Sequence, residues 1–92
     1  MSRLNELLEA QDWPGLAEIA GQQLDVLVKQ RGAGHARLAQ LTQDQLQSFA
    51  ADVLEPYLKE PHRWTKVVGK CRGENENVRL RGYLAKSMLN LF

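Results

Sequence analysis

The sequence predicts an all-α protein, a compact bundle of four to six short helices. Apolar residues recur at intervals of three and four along nearly the whole chain, and no stretch alternates as a half-buried strand would. Capping residues, prolines and glycines divide this pattern into short segments. A length of 92 residues fits one domain, residues 1–92. The last segment is apolar around most of its circumference, so we expect the C-terminal helix to be central or at an oligomer interface.

The first two predicted helices are separated by an Asp-Trp-Pro sequence that restarts the chain. The first helix runs from Arg3 to Ala10. Asp12 is a suitable N-cap, and Pro14 falls in the first turn of the next helix, where its missing N–H costs nothing. The second helix spans residues 13–31 and buries one apolar face, and Gly32-Ala33-Gly34 ends it.

The middle of the chain carries the clearest local signal. A short segment of helical composition, residues 35–41, precedes a capping box formed by Thr42 and Gln45. Leu41 precedes the N-cap and Leu46 lies in the first turn, so the two side chains are placed to form a hydrophobic staple. The sequence therefore predicts a helix beginning after Thr42, and we expect Pro56 to kink or end it.

Two further helices complete the chain. Pro61 begins the first of them, which ends at Gly73 and buries a stripe consisting of Trp64, Val67, Val68 and Cys71. Residues 74–77 form a polar turn in which Asn75 or Asn77 caps the last helix, residues 78–91.

Two interpretations explain the apolar circumference of the last helix. In the first, the helix is central in the bundle, and Arg81, which falls in its apolar sector, snorkels to solvent or pairs with an acidic residue. In the second, one apolar face packs in the bundle and another contacts a second copy or another protein. We then expect a homodimer or higher oligomer. The residues expected to form its interface are Tyr83, Met88, Leu89 and Phe92.

Charge is divided unequally along the chain. Residues 1–60 carry five basic and nine acidic side chains, whereas residues 61–92 carry seven basic and two acidic ones. A net charge of +1 therefore hides an acidic part and a basic part. Residues 63, 66 and 70 share one helix face, and residues 79 and 86 share another. We expect a basic binding surface formed by these candidates: Arg63, Lys66, Lys70, Arg72, Arg79 and Lys86.

The partner of such a surface is an acidic protein surface or a nucleic acid. Lysine and arginine replace the counterions along a phosphate backbone, and two helices joined by a short turn have the outline of a helix-turn-helix. We do not assign that motif, because Glu74 and Glu76 make the turn acidic and the last helix has few polar side chains to contact bases.

Catalytic chemistry is not indicated. Cys71 lies on an apolar stripe, where cysteine behaves as a small hydrophobic residue, and His62 falls on nearly the opposite helix face. Acidic residues and histidines are scattered without metal-ligand spacing. We expect no catalytic residue, no metal, no cofactor and no small-molecule substrate.

The leading hypothesis is a non-enzymatic protein that binds another macromolecule through the basic C-terminal surface and the apolar last helix. Adaptors, inhibitors and regulators, including phage and mobile-element accessory proteins, are often of this general type. The alternative is a transcriptional or replication regulator that binds nucleic acid with the same residues. A single cysteine, no signal peptide and no apolar stretch long enough for a membrane span lead us to expect a cytoplasmic protein.

Overall fold

The computed structural model describes residues 3–32, 34–71 and 73–91. Across these ranges the chain forms six α-helices and one 3₁₀ turn, and no strand. The helices are α1 (Arg3–Glu9), α2 (Trp13–Lys29), α3 (Ala36–Ala39), α4 (Gln43–Lys59), α5 (Trp64–Lys70) and α6 (Glu76–Leu91), and the 3₁₀ turn is Pro61–Arg63. The predicted all-α bundle is confirmed. The radius of gyration, 12.6 Å, is close to the value of about 12 Å for a compact chain of this length.

The two ends of α2 follow the capping signals in the sequence. Asp12 Oδ1 accepts a hydrogen bond of 3.1 Å from the backbone N–H of Gly15, and Pro14 lies in the first turn. The helix ends at Lys29, two residues before the predicted end. Gly32 adopts φ +94°, and a Cβ at this position would lie 2.9 Å from the Ala39 nitrogen. Glycine is therefore required here, and the prediction that this segment stops the helix is confirmed at Gly32; Ala33 lies outside the described residues.

Helix α4 has the predicted start and a different end. Both hydrogen bonds of the capping box between Thr42 and Gln45 are present, at 3.0 and 3.2 Å. The helix continues through Pro56 to Lys59, so of the two predicted effects of Pro56, a kink or an end, the end is wrong. Proline removes only one backbone donor, and two local contacts stabilise the last turn. The Tyr57 ring stacks on Trp64 at 4.6 Å, and the backbone N–H of Glu60 donates to the Pro56 carbonyl at 2.8 Å.

The last two helices begin at positions that differ from the prediction. Pro61 begins the 3₁₀ turn, and α5 starts only at Trp64. Helix α6 starts at Glu76, two residues earlier than expected, because Asn75 adopts φ 61° and its carbonyl accepts the first helical hydrogen bond, 3.0 Å, from Arg79. Asn75, one of the two candidate caps, is therefore the residue directly before the first residue of α6.

Helix α6 lies inside the bundle. It packs against α2, α3, α4 and α5, and four of its side chains are fully buried: Leu80, Leu84, Ala85 and Met88. These residues join Leu16, Ala20 and Leu27 of α2 and Trp64 and Val67 of α5 in one continuous core. Of the two interpretations of the last helix, these contacts agree with the central one, and the oligomer interface stays a prediction.

Candidate binding surface

The three basic residues around α5 lie on the outside of the bundle. Arg63, Lys66 and Lys70 are exposed, whereas Trp64 and Val67 are almost completely buried. The core-facing residues fix the rotation of α5, because residues three and four apart share one helix face. The spacing 63, 66 and 70 then places the three cations together on the solvent side.

Helix α6 exposes a narrow polar strip. Arg79, Lys86 and Asn90 are exposed, and the neighbouring Tyr83 is half-buried. The buried residues of α6 lie on the opposite side, so this strip follows the edge of α6 that Tyr83 borders.

Two observations place the cations of the 3₁₀ turn and α5 beside α6. The Lys70 ammonium lies 5.9 Å from the centre of the Tyr83 ring, within the range of a cation–π interaction. Arg63 lines a hollow together with Ser87 and Leu91 of α6. Position 63 therefore lies beside residues 87–91 and position 70 beside residue 83, which means that the two helices run antiparallel. We define the basic surface as Arg63, Lys66, Lys70, Arg79 and Lys86; Arg72 lies outside the described residues.

Both arginines of the basic surface donate a hydrogen bond to another group of the protein. Arg63 Nε donates to Glu60 Oε2 at 2.6 Å, and this hydrogen bond lowers the pKa of the Glu60 carboxyl group. Arg79 Nε donates to the Glu74 carbonyl at 3.3 Å, beside the turn before α6. An acidic ligand would therefore have to compete with Glu60 for Arg63.

An aromatic cluster lies between the basic surface and the core, and the sequence did not identify it. Tyr57 of α4 stacks on the buried Trp64 of α5 and faces Tyr83 of α6. Burial, followed by the charge and hydrogen bond of Tyr83, raises the pKa of Tyr57 to about 12. The cluster thereby connects the three helices that position the cations. The sequence assigned Trp64 to a buried stripe and Tyr83 to an interface, and neither assignment specifies a contact with Tyr57.

Arg81 does not belong to the basic surface. Its side chain is half-buried on another side of α6, where Nε donates to Gln23 Oε1 at 3.0 Å. Gln23 is only 9% exposed. The sequence predicted snorkelling or an acidic partner for Arg81, whereas this hydrogen bond is made to a neutral amide of α2.

Of the residues predicted for an oligomer interface, the three that the structure describes do not form one exposed patch. Met88 is completely buried in the core of its own chain, so its assignment to an interface is wrong. Tyr83 is half-buried within the basic surface, and Leu89 is half-buried against the core. Phe92 lies outside the described residues. The exposed apolar side chains of α6 are instead Val78, 57% exposed, and Leu91, 47% exposed.

Cys71 has the packing role that its sequence position indicates. Its side chain is buried in the core, and desolvation, followed by the charge of Glu76, raises the pKa of its thiol. A protonated, buried thiol is a poor nucleophile. Within the described part of the chain, no three His, Cys, Asp or Glu residues are grouped in a way that suits a metal ion.

None of the helices in the described ranges combines the length and apolar character that a membrane span requires. Comparisons of the chain with protein-family models, with curated proteins and with solved structures find no match.

Proposed function

We propose that this protein is a non-enzymatic binding protein whose basic surface docks on an acidic surface of another protein. The observation that carries the proposal is the contact between Lys70 and Tyr83, since it joins the cations of α5 to those of α6. Leu91 borders the same surface beside Arg63 and is 47% exposed. An apolar contact is thus available next to the charges. Cations at the edge of such an interface mainly set the association rate and the specificity.

The acidic residues around the basic surface favour a protein partner over a nucleic acid. Asp52 lines the hollow that contains Arg63, and the Glu60 carboxylate is paired with Arg63. A continuous phosphate backbone would meet these carboxylates, whereas a folded protein can place its acidic residues only opposite the cations.

A nucleic acid is the second candidate, and Tyr83 is the observation that favours it. This half-buried aromatic ring lies among Lys70, Arg79 and Lys86. Aromatic side chains that alternate with cations bind single-stranded nucleic acids by stacking with bases.

Charge reversal tests the proposal. The probes are fluorescent poly-L-glutamate and generic single-stranded and duplex DNA, titrated with the protein at low and at moderate salt. We expect binding to poly-L-glutamate that weakens as salt rises, and a loss of about tenfold or more in the Lys66→Glu, Lys70→Glu variant.

The matched control is the Lys29→Glu, Lys59→Glu variant. It changes the net charge by the same amount at two exposed lysines of α2 and α4. We expect this control to bind poly-L-glutamate much more strongly than the α5 variant does. Equal losses in the two variants, or no binding of the wild type to poly-L-glutamate, would contradict the proposal. Binding to DNA alone, abolished in the α5 variant, would establish the second candidate.

A further inference from the structure

A second surface, formed by α2 and α4, has a different character. The Gln43 side chain donates to the Val28 carbonyl at 3.0 Å, so the end of α2 lies beside the start of α4. At the other end, Pro14 and Leu58 line the same hollow. The two helices are therefore antiparallel neighbours, and a groove follows the seam between them.

The groove contains two hollows along this seam. One has a volume of about 240 Å³ and includes Gly21 and Leu24 of α2 and Ala51 and Leu54 of α4. The other has a volume of about 400 Å³ and includes Pro14 and Leu58. Leu54 and Leu58 are one helical turn apart on α4, and Pro14 and Gly21 are two turns apart on one face of α2, so the two hollows follow one another along the same seam. We call it the α2/α4 groove.

The floor of the α2/α4 groove is apolar and partly open to solvent. Leu58 is 61% exposed, the highest value among the large hydrophobic residues of the described chain. Ala51 is exposed, and Leu54 is half-buried. Large apolar side chains grouped at a surface commonly mark a contact with another molecule. The distance from Pro14 to Val28 along α2 is about 21 Å, which is the length of four helical turns.

Four acidic residues flank the groove, and one of them, Asp25, lines its first hollow. On α2, Glu18 and Asp25 lie within about 60° of Gly21 around the helix axis, and on α4, Asp44 and Glu55 lie within about 40° of Ala51. All four side chains are exposed. Lys29 and Lys59 pair with Asp25 and Glu55 at 3.0 and 2.8 Å, but these ion pairs are solvent-exposed and cost little to exchange.

We propose that the α2/α4 groove binds a basic amphipathic helix of a partner protein. The apolar side of that helix would contact Leu54 and Leu58, and its lysines or arginines would lie opposite Glu18, Asp25, Asp44 and Glu55. This is the helix-in-groove mode, in which apolar anchors recur at i, i+4, i+7 and i+11. Charge complementarity selects the basic helix, because an acidic one would face carboxylates on both sides of the groove. The proposal does not depend on the basic surface of α5 and α6.

A larger side chain at position 21 can fill the groove without disturbing the packing of the bundle. A Cβ at Gly21 would meet nothing within 4 Å, so Gly21→Leu extends a side chain into the groove only. The matched control is Gly69→Leu in α5, where a Cβ also meets nothing within 4 Å and the side chain lies outside the groove. Both substitutions replace glycine by a better helix former, so we expect both variants to melt at or above the wild-type temperature.

The probe is a synthetic helical peptide of about four turns with leucines at the anchor spacing and lysines elsewhere. Binding is measured by fluorescence anisotropy. A second peptide carries glutamates in place of the lysines. We expect the wild type and Gly69→Leu to bind the lysine peptide with equal affinity. Gly21→Leu should bind this peptide at least tenfold more weakly. The wild type should bind the glutamate peptide at least tenfold more weakly than the lysine peptide.

Three results would overturn the proposal. They are equal binding of the lysine peptide by Gly21→Leu and the wild type, equal binding of the two peptides, and absence of binding by the wild type. The masses of the wild type and Gly21→Leu in solution, measured without peptide, test the competing occupant. A dimer that Gly21→Leu converts to a monomer would mean that a second copy of this chain fills the groove instead.

Discussion

The hydrogen bond between Arg81 and Gln23 illustrates how a charge is accommodated at the edge of the core. The half-buried guanidinium donates to an amide oxygen at 3.0 Å, and a hydrogen bond to a charged group contributes about 1.5–3 kcal/mol. The sequence identified Arg81 as exceptional, because it falls in the apolar sector of its helix. It could not identify the partner, because 58 residues separate the two positions along the chain.

Tyr57 makes the stability of the protein depend on pH in the alkaline range. The folded state raises the pKa of this phenol from 10.0 to about 12. Below pH 10 the phenol is neutral in both states. As the pH rises from 10 toward 12, the phenol of the unfolded chain ionises first, which favours unfolding. The stabilisation is therefore present below pH 10 and is lost as the pH rises through 12.

We predict that the Tyr57→Phe variant loses less stability between pH 10 and pH 12 than the wild type does, because phenylalanine has no proton to release. Urea unfolding of both proteins across this range measures the difference in the free energy of unfolding. If the difference in the free energy of unfolding between the two proteins stays constant from pH 10 to pH 12, this pH dependence does not come from Tyr57.

At the scale of the element, α4 combines a start that was predicted correctly with an end that was not. The capping box is a local property of residues 42–45, and both of its hydrogen bonds are present. The end depends on a contact outside the helix, since Tyr57, the residue after Pro56, stacks on Trp64 of the next helix. Local sequence rules therefore succeed at the N-terminus of α4 and fail at its C-terminal turn.

We predict that Thr42→Ala lowers the free energy of unfolding by about 1 kcal/mol, because the backbone N–H of Gln45 loses its side-chain acceptor. The corresponding decrease in the melting temperature is about 4–8 °C. Thermal unfolding followed by circular dichroism measures it. Thr42→Ser retains the hydroxyl group and should remain close to the wild type. If Ser48→Ala, at an exposed position within α4, has the same effect as Thr42→Ala, the cap has no special role.

At the scale of the whole molecule, the acidic residues that flank the α2/α4 groove and the cations of the basic surface lie on different elements. The acidic residues that surround the α2/α4 groove belong to the first part of the chain, and the basic surface belongs to α5 and α6. The unequal distribution along the sequence thus becomes two separate surfaces. In our two proposals, these surfaces bind partners of opposite charge, so one copy of the protein would bring an acidic and a basic partner together.

The predicted self-association is tested by deleting residues 89–92. Four α6 residues in the core remain in the shortened chain (Leu80, Leu84, Ala85 and Met88), so we expect it to keep its helical circular dichroism spectrum. The deletion removes the exposed Leu91, and we expect a dimer or larger oligomer to become monomeric. Light scattering measures the mass of both proteins. A wild type that is monomeric at all concentrations, or a deletion variant with unchanged mass, would contradict this prediction.

The sequence by itself determined the helical class, the helix starts at Asp12 and Thr42, the stop at Gly32 and the outward face of Arg63, Lys66 and Lys70. These features depend on contacts between residues close in the chain, for which spacing and capping chemistry are sufficient. Only the tertiary structure decided that Met88 is in the core, that Arg81 pairs with Gln23 and that Lys70 lies over Tyr83. Each of these depends on which helices pack together and at what rotation, and an apolar pattern that nearly encircles α6 does not specify its neighbours.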